Sequence, residues 1–406
     1  MTTSKCLASI SKKLASRLAV RERLHLWATE FAAIRDARHE SANDQRQPRI
    51  FNIDLHISVT EDLRQGFKSL ASYTSWNASN HNIVFRPERP YPDPIAIVNQ
   101  RTWRKLTNKM AHRFFRRYKR FLNTFDFFAV TYPPAFAMLF KDAKKPTLMV
   151  IAIRYDWPMS RSLEIAKQFD AEILAMSNEG LLTIVANNQG DADYFYTMTK
   201  FRIKVIPSLC DYVLENQYED SKLCRSSSTP IYIQSARLTE TLKEKLFLKG
   251  YRDSKEAFPG GYSWQELKSV PSVFHIPYSI STMTLFELAT LGVRVIIPDD
   301  DWLVEMALSG ESGALSELAF PGSIDRLAEV SGGRLEQGSE AYYRWWLERA
   351  DFANQDLMPN VHRVSQKSFD EDMSLPEIDN LATEKRNARI YMERERFLDE
   401  FLNTSV

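Results

Sequence analysis

The chain has 406 residues, 44% of them hydrophobic and 26% charged, with a formal net charge of +1. That length exceeds what one hydrophobic core usually organises, so two soluble domains of roughly 150–200 residues are expected. The near-neutral balance argues against wholesale nucleic-acid binding, and Cys6, Cys210 and Cys224 are too few and too irregularly spaced for a disulfide framework or a structural zinc site.

A cytoplasmic protein is expected, since Lys12, Lys13 and Arg17 break the N-terminal stretch SKCLASISKKLASRLAV and no apolar run approaches the about eighteen residues of a membrane span. In chain order, residues 1–49 read as a helical extension ending in the polar hinge HESANDQRQPR. FNIDLHIS at 51–58 reads as a strand, with a helix starting near Thr60. SYTSWNASNHNIVF at 72–85 reads as a polar turn. Its Trp76, Ser79 and His81 are candidate acceptor contacts, because an aromatic face stacks on sugar C–H groups while polar neighbours bond hydroxyls.

Residues 101–120, RTWRKLTNKMAHRFFRRYKR, hold nine Lys or Arg and no acid, with Trp103, Leu106, Met110, Phe114 and Phe121 near one face. Basic charge beside aromatics predicts peripheral contact with an anionic membrane, at the inner face of the cell membrane; no nucleic-acid partner is expected. FDFFAVT at 125–131, TLMVIAI at 147–153, LLTIVAN at 181–187 and IKVIP at 203–207 read as further strands alternating with helices. That alternation predicts a parallel α/β sheet in a first domain over 50–220.

The polar, serine-rich stretch ENQYEDSKLCRSSSTP at 215–230 reads as a linker. A second series follows over 230–380: IYIQSAR at 231–237, a helix near 239–248, SVFHIP at 272–277, a helix carrying Glu287, and VRVIIP at 293–298. AYYRWWLERADF at 341–352 and TEKRNARIYMERERFLDEFL at 383–402 have helical periodicity, and Ile390, Phe397, Leu398 and Phe401 share a face. The fold class predicted is α/β, with two Rossmann-like domains facing a central cleft and a C-terminal helix, 381–406, packing across both.

Ligands of open α/β sheets bind beyond the carboxyl ends of the strands. In the first domain this selects Asp54 and His56, expected on one face of the first strand, together with Arg154, Asp156 and Asn187 at later strand ends. His56 is the expected general base, with Asp54 and Asp62 as carboxylate alternatives. In the second domain it selects Ser235, Arg237, Tyr278 and Ser279. Ser281 and Thr282 open the following helix, whose free N–H groups and dipole favour a phosphate, and Glu287 stands where a carboxylate can bond a ribose.

Asp299, Asp300 and Asp301 read as an acidic helix start, so no metal is expected. The thirteen glycines form no GxGxxG or P-loop, and neither GxSxG nor HExxH occurs. Dinucleotide oxidoreductases, NTPases and hydrolases of those types lose their support.

HIPYSISTMTLFELATLGVRVIIP resembles the donor-binding segment of GT-B glycosyltransferases. In that family a small polar loop and helix N-terminus hold the donor diphosphate, a helical glutamate contacts the ribose, and the chain turns at a glycine into the next strand. Ser281 and Thr282 match the phosphate positions, Glu287 the ribose carboxylate and Gly292 the turn. Arg294 stands where proline is frequent, and Ser279 or Ile280 where many members carry a second glutamate. The resemblance implies a nucleotide-sugar co-substrate and no other cofactor, a glycan or lipid-linked acceptor in the N-terminal half, and metal-independent transfer in the cleft. Two rival functions are a non-catalytic double-Rossmann module binding a membrane or polyanion through 101–120, and a sugar-nucleotide epimerase of the same fold.

Overall fold

The computed structural model describes residues 47–79, 93, 95–215, 228–233, 237–310, 312–371 and 377–403. The predicted N-terminal extension up to 46, most of the predicted linker, and the site candidates His81 and Ser235 lie outside the described residues.

The first sheet contains β1 (Arg49–Asp54), β2 (Ser72–Asn77), β3 (Phe127–Val130), β4 (Thr147–Ile151), β5 (Leu182–Ala186) and β6 (Lys204–Val205). Their order is β2-β1-β3-β4-β5-β6 and every pairing is parallel. Parallel neighbours require crossovers, and helices between the strands supply them: α1 (Ile57–Gly66), α2 (Asn108–Leu122), α3 (Leu163–Asn178) and α4 (Gln189–Thr199). All six residues of β1 are buried, as expected of a strand covered on both faces.

The second sheet contains β7 (Ile231–Tyr232), β8 (Arg252–Asp253), β9 (Val273–Phe274), β10 (Val295–Pro298) and β11 (Val361–Val364), in the parallel order β11-β10-β9-β7-β8. Its helices include α5 (Glu240–Leu248), α6 (Met283–Leu291), α7 (Asp300–Ser309), α8 (Arg326–Ser331) and α9 (Glu340–Leu347). The turn from α6 to β10 is made by Gly292 at φ +72°, a left-handed conformation in which a Cβ would also meet Thr383 at 3.4 Å.

The last helix, α10 (Asn380–Asn403), spans both halves as expected. Near its start Arg386 donates to Thr290 Oγ1 of α6 at 2.8 Å and to Leu357 O at 3.0 Å. Further along, Arg394 pairs with Asp62 of α1, and Phe397, Leu398, Phe401 and Leu402 join the apolar cluster under the first sheet. A second bridge runs from α8, where buried Arg326 reaches Asp156 Oδ2 at 2.9 Å, Tyr155 OH at 3.0 Å and Asp170 Oδ2 at 2.5 Å.

Several elements differ from the sequence reading. β1 stops at Asp54 and α1 begins at Ile57, which makes His56 the residue capping the helix rather than a strand residue. The cause is local: Asp54 Oδ1 accepts the N–H groups of Leu55 and His56, turning the chain out of the sheet. The expected polar turn at 72–85 begins instead with the edge strand β2, which pairs only with β1 and so tolerates polar residues.

Candidate functional site

Both sheets contain a point where strand order reverses. In the first it lies between β1 and β3, in the second between β7 and β9. A crevice opens at the carboxyl ends of the strands at such a point. His56 follows β1 and Tyr132 follows β3, with ring centroids 5.6 Å apart. Arg237 follows β7 and Tyr278 follows β9, with the guanidinium 4.1 Å from the ring centroid.

The two crevices face one another. Burial first, then the charge of Glu317 and the proximity of Tyr278, raise the Tyr132 phenol well above its ordinary value. Tyr278 is likewise pushed up to about 12, by burial and then by Glu317, while Arg237 opposes the shift. Glu317 accepts from Arg237 at 2.7 Å, and its N–H is bonded to Tyr278 O at 2.9 Å. His56, Tyr132, Tyr278, Arg237 and Glu317 are all half-buried, so the cluster lines a solvent-reachable cleft.

Asp54, the predicted companion of His56, is fully buried and serves the backbone. It accepts from the N–H groups of Leu55, His56, Thr131 and Tyr132 and from the Thr131 hydroxyl. Burial pushes it up to about 6 despite those bonds. It therefore ties the β1 and β3 loops together and does not share a face with His56. Asp62 is also committed elsewhere: its Oδ1 accepts Arg394 Nη1 at 2.6 Å, Cys210 N–H at 2.7 Å and Leu209 N–H at 3.2 Å. A carboxylate engaged in this way anchors α10 and is remote from the role of base.

The donor candidates divide. Arg237 and Tyr278 stand at the rim, beside half-buried Ser279. Thr282 accepts the Leu285 N–H and caps α6, while Ser281 bonds the buried carboxyl of Asp351. Gln189 N–H also reaches Asp351, whose pKa is pushed up to about 7, chiefly by burial. The helix end expected to hold an anion thus faces one of the chain's own carboxyl groups. Ile280 packs so closely on α4 that a Cβ on Gly190 would lie 2.0 Å from its Cδ1. Glu287 also turns toward the first half, bonding Tyr212 OH at 2.5 Å and Ser58, and burial lifts it to about 7.

The acceptor candidates are mostly structural. Trp76 is 4% exposed and stacks on Phe121 at 4.6 Å, which places it in the core rather than against a sugar. Ser79 is buried and its N–H bonds Asn77 Oδ1 at 2.7 Å. Arg154 is a strut between the halves, donating to Leu318 O at 3.1 Å with its guanidinium over Tyr194 and Phe320. Asn187 is buried and donates to Ser208 Oγ at 3.2 Å. Asp299 caps α7, Asp300 pairs with Arg363 at 2.7 Å and Asp301 with Arg344 at 3.0 Å. The aromatic face of the basic segment, including Trp103, Leu106, Phe114 and Phe121, is buried against the first sheet, so the predicted aromatic contact with a membrane does not form.

Sequence reading passed over Tyr132, Glu317 and His275. The strand-end rule applied to FFAV would have found Tyr132; Glu317 sits in an irregular loop and gives no signal. His275 is fully buried just past β9, with neither ring nitrogen hydrogen-bonded among the described residues. Burial and the charge of Arg237 push it down to about 3, so it is neutral. A cavity of about 20 Å³ lies under α10, lined by Val59, Leu63, Arg394 and Phe397, and is too small for a nucleotide.

No family model matches the chain, and no curated protein does. Among solved structures the chain is similar to the spinosyn rhamnosyltransferase SpnG, at 12% identity over 74% of this chain and 95% of that one, with a TM-score of 0.38. It is also similar to the glycotransferase of kitacinnamycin, at 10% identity over 89% and 96%, TM-score 0.36. The glycosyltransferase SnogD from Streptomyces nogalater gives 10% identity over 89% and 100%, TM-score 0.40. The chain's own two sheets are parallel α/β halves, each with one point at which the strand order reverses. No helix among the described residues is long and apolar enough to cross a membrane.

Proposed function

We propose that the chain is a glycosyltransferase that moves a sugar from a nucleotide-sugar donor to a glycan or lipid-linked acceptor, without a metal, in the cleft between its halves. One observation carries this reading: Tyr132, beside His56 at the strand ends of the first half, lies within electrostatic reach of Tyr278 and Glu317, which sit with Arg237 at the strand ends of the second. Two switch-point crevices that share one space suit a reaction between two bound molecules.

For transfer with inversion, His56 takes the proton of the acceptor hydroxyl as it attacks the anomeric carbon. Arg237 offsets the charge developing on the leaving diphosphate, helped by the α6 N-terminus once Ser281 exchanges Asp351 for the donor. Glu287 bonds the ribose after releasing Tyr212 and Ser58. His275, buried, neutral and near enough to Arg237 to feel its charge, lies just past β9 in the same half.

Calorimetry of the full chain with UDP, GDP, CMP and dTDP tests the donor half of this reading. Binding of one nucleotide, weakened by Arg237→Ala, is expected. No affinity for any of them sinks the enzyme and favours a non-catalytic module, whereas conversion of a nucleotide sugar without any acceptor would mark an epimerase.

A further inference from the structure

The aromatic half of α2 is used up in the core, and that makes its other half more informative. Wound at about 100° per residue, Lys109, Arg113, Arg116, Arg117, Lys119 and Arg120 fall within an arc of about 160°, opposite Ala111, Phe114, Phe115, Tyr118, Phe121 and Leu122. Arg101, Arg104 and Lys105 extend the same charge ahead of the helix. All nine side chains are exposed, and none has an acidic partner among the described residues. The nearby acids are taken: Asp142 bonds His112 at 2.7 Å, while Glu172 bonds Asn108 at 2.5 Å and faces Lys141.

A dense unpaired positive face in a chain of net charge +1 is a local device, because the rest of the molecule must carry the compensating acid. Its position ties it to the cleft: the charge of Arg104 acts on Tyr132, the neighbour of His56. We propose that this face is a docking surface for an anionic lipid bilayer, held by charge alone and bringing the cleft rim to the membrane. It goes beyond the glycosyl-transfer reading and does not depend on it.

Lipid is the occupant the shape favours. The outer half of a helix is convex and offers no groove to track a strand, and with its large aromatics buried it has no platform on which bases could stack. A flat surface with mobile anionic headgroups can instead gather beneath the cations that face it. Without inserted aromatics the binding has no hydrophobic share, so it must fall steeply with salt.

The test is co-sedimentation of the full chain with phosphatidylcholine vesicles, with and without phosphatidylserine, over a salt series, beside a duplex oligonucleotide titrated in the same buffers. Phosphatidylserine-dependent binding that vanishes at high salt is expected. In the triple variant Arg113→Gln, Arg116→Gln, Arg120→Gln, whose exposed positions leave the thermal midpoint unchanged, it should weaken about a hundredfold. Indifference to phosphatidylserine, or equal binding by the variant, overturns the proposal, and so does tighter binding to the duplex than to the vesicles. Nucleotide calorimetry on the same samples reports the donor site separately, so failure of one reading is not mistaken for failure of the other.

Discussion

The crevice between β1 and β3 and the crevice between β7 and β9 hold equivalent places in their sheets but are finished differently. In the first, one buried carboxyl, Asp54, gathers the backbone donors of both loops and fixes His56 and Tyr132 at the rim. In the second, the polar groups behind the rim are already partnered: Ser281 bonds Asp351 of its own half, which Gln189 N–H of α4 also reaches, and Glu287 bonds Tyr212 and Ser58 of the first half. A strand end tied by its own carboxyl is preorganised, which suits a base. A strand end that takes partners from the other domain must exchange them to hold a ligand, which suits capture coupled to domain motion.

The largest effect should come from the tie itself. Asp54→Ala strands the N–H groups of His56, Thr131 and Tyr132, while that of Leu55 keeps Tyr132 O. A loss of about 3–5 kcal/mol is expected in urea unfolding, and a loss under about 1 kcal/mol breaks the picture of a preorganised first crevice. Next is His56→Ala, which removes a rim residue and leaves the tie intact. Turnover should fall about 10²–10⁴-fold with nucleotide affinity and thermal midpoint little changed; retained turnover moves the base elsewhere.

These two residues also show how far the sequence could be read. The alternation of strands and helices and the bridging helix α10 were legible because parallel strands are continuous apolar runs and amphipathic helices carry a 3.6-residue period. The partnership of Asp54 was not: a two-residue spacing on an assumed strand implies a shared face, yet the aspartate bonds the very N–H groups that end the strand. Trp76 misled for a related reason. Its polar neighbours suggested a loop, but they line an edge strand whose Trp76 turns inward onto Phe121. The partners of Ser281 and Glu287 lie 70 and 75 residues away in sequence, and no local pattern announces contacts of that range.

A comparison within the second crevice sharpens the contrast between rim and wall. Arg237→Ala should weaken nucleotide binding by about 1.5–3 kcal/mol, because a charge-assisted bond to phosphate is lost. Ser281→Ala is expected to cost less, since the hydroxyl must first leave Asp351 and its gain on binding is an exchange of partners. Calorimetry on both variants decides it: an equal loss would place Ser281 at the rim, already turned to the ligand.

The smallest effect concerns the carboxyl that Ser281 must leave. Asp351 sits at about 7 in the folded chain against an ordinary 3.8, so the folded state holds its proton more tightly than the unfolded state does. Its contribution to stability is complete below about pH 4 and is lost as the pH rises through about 7. Asp351→Asn keeps an acceptor for Ser281 and Gln189 but has no charge to bury. The variant should match the parent at pH 4 and become the more stable of the two as the pH rises through about 7, measured as urea midpoints from pH 4 to 8. The same substitution bears on the domain motion, because ionised Asp351 repels an incoming diphosphate at the α6 N-terminus and the amide does not. Nucleotide affinity in Asp351→Asn should therefore lose part of its pH dependence between 6 and 8. If the affinity profile stays that of the parent while the stability profile shifts, Asp351 guards the fold alone and the α6 N-terminus takes no phosphate.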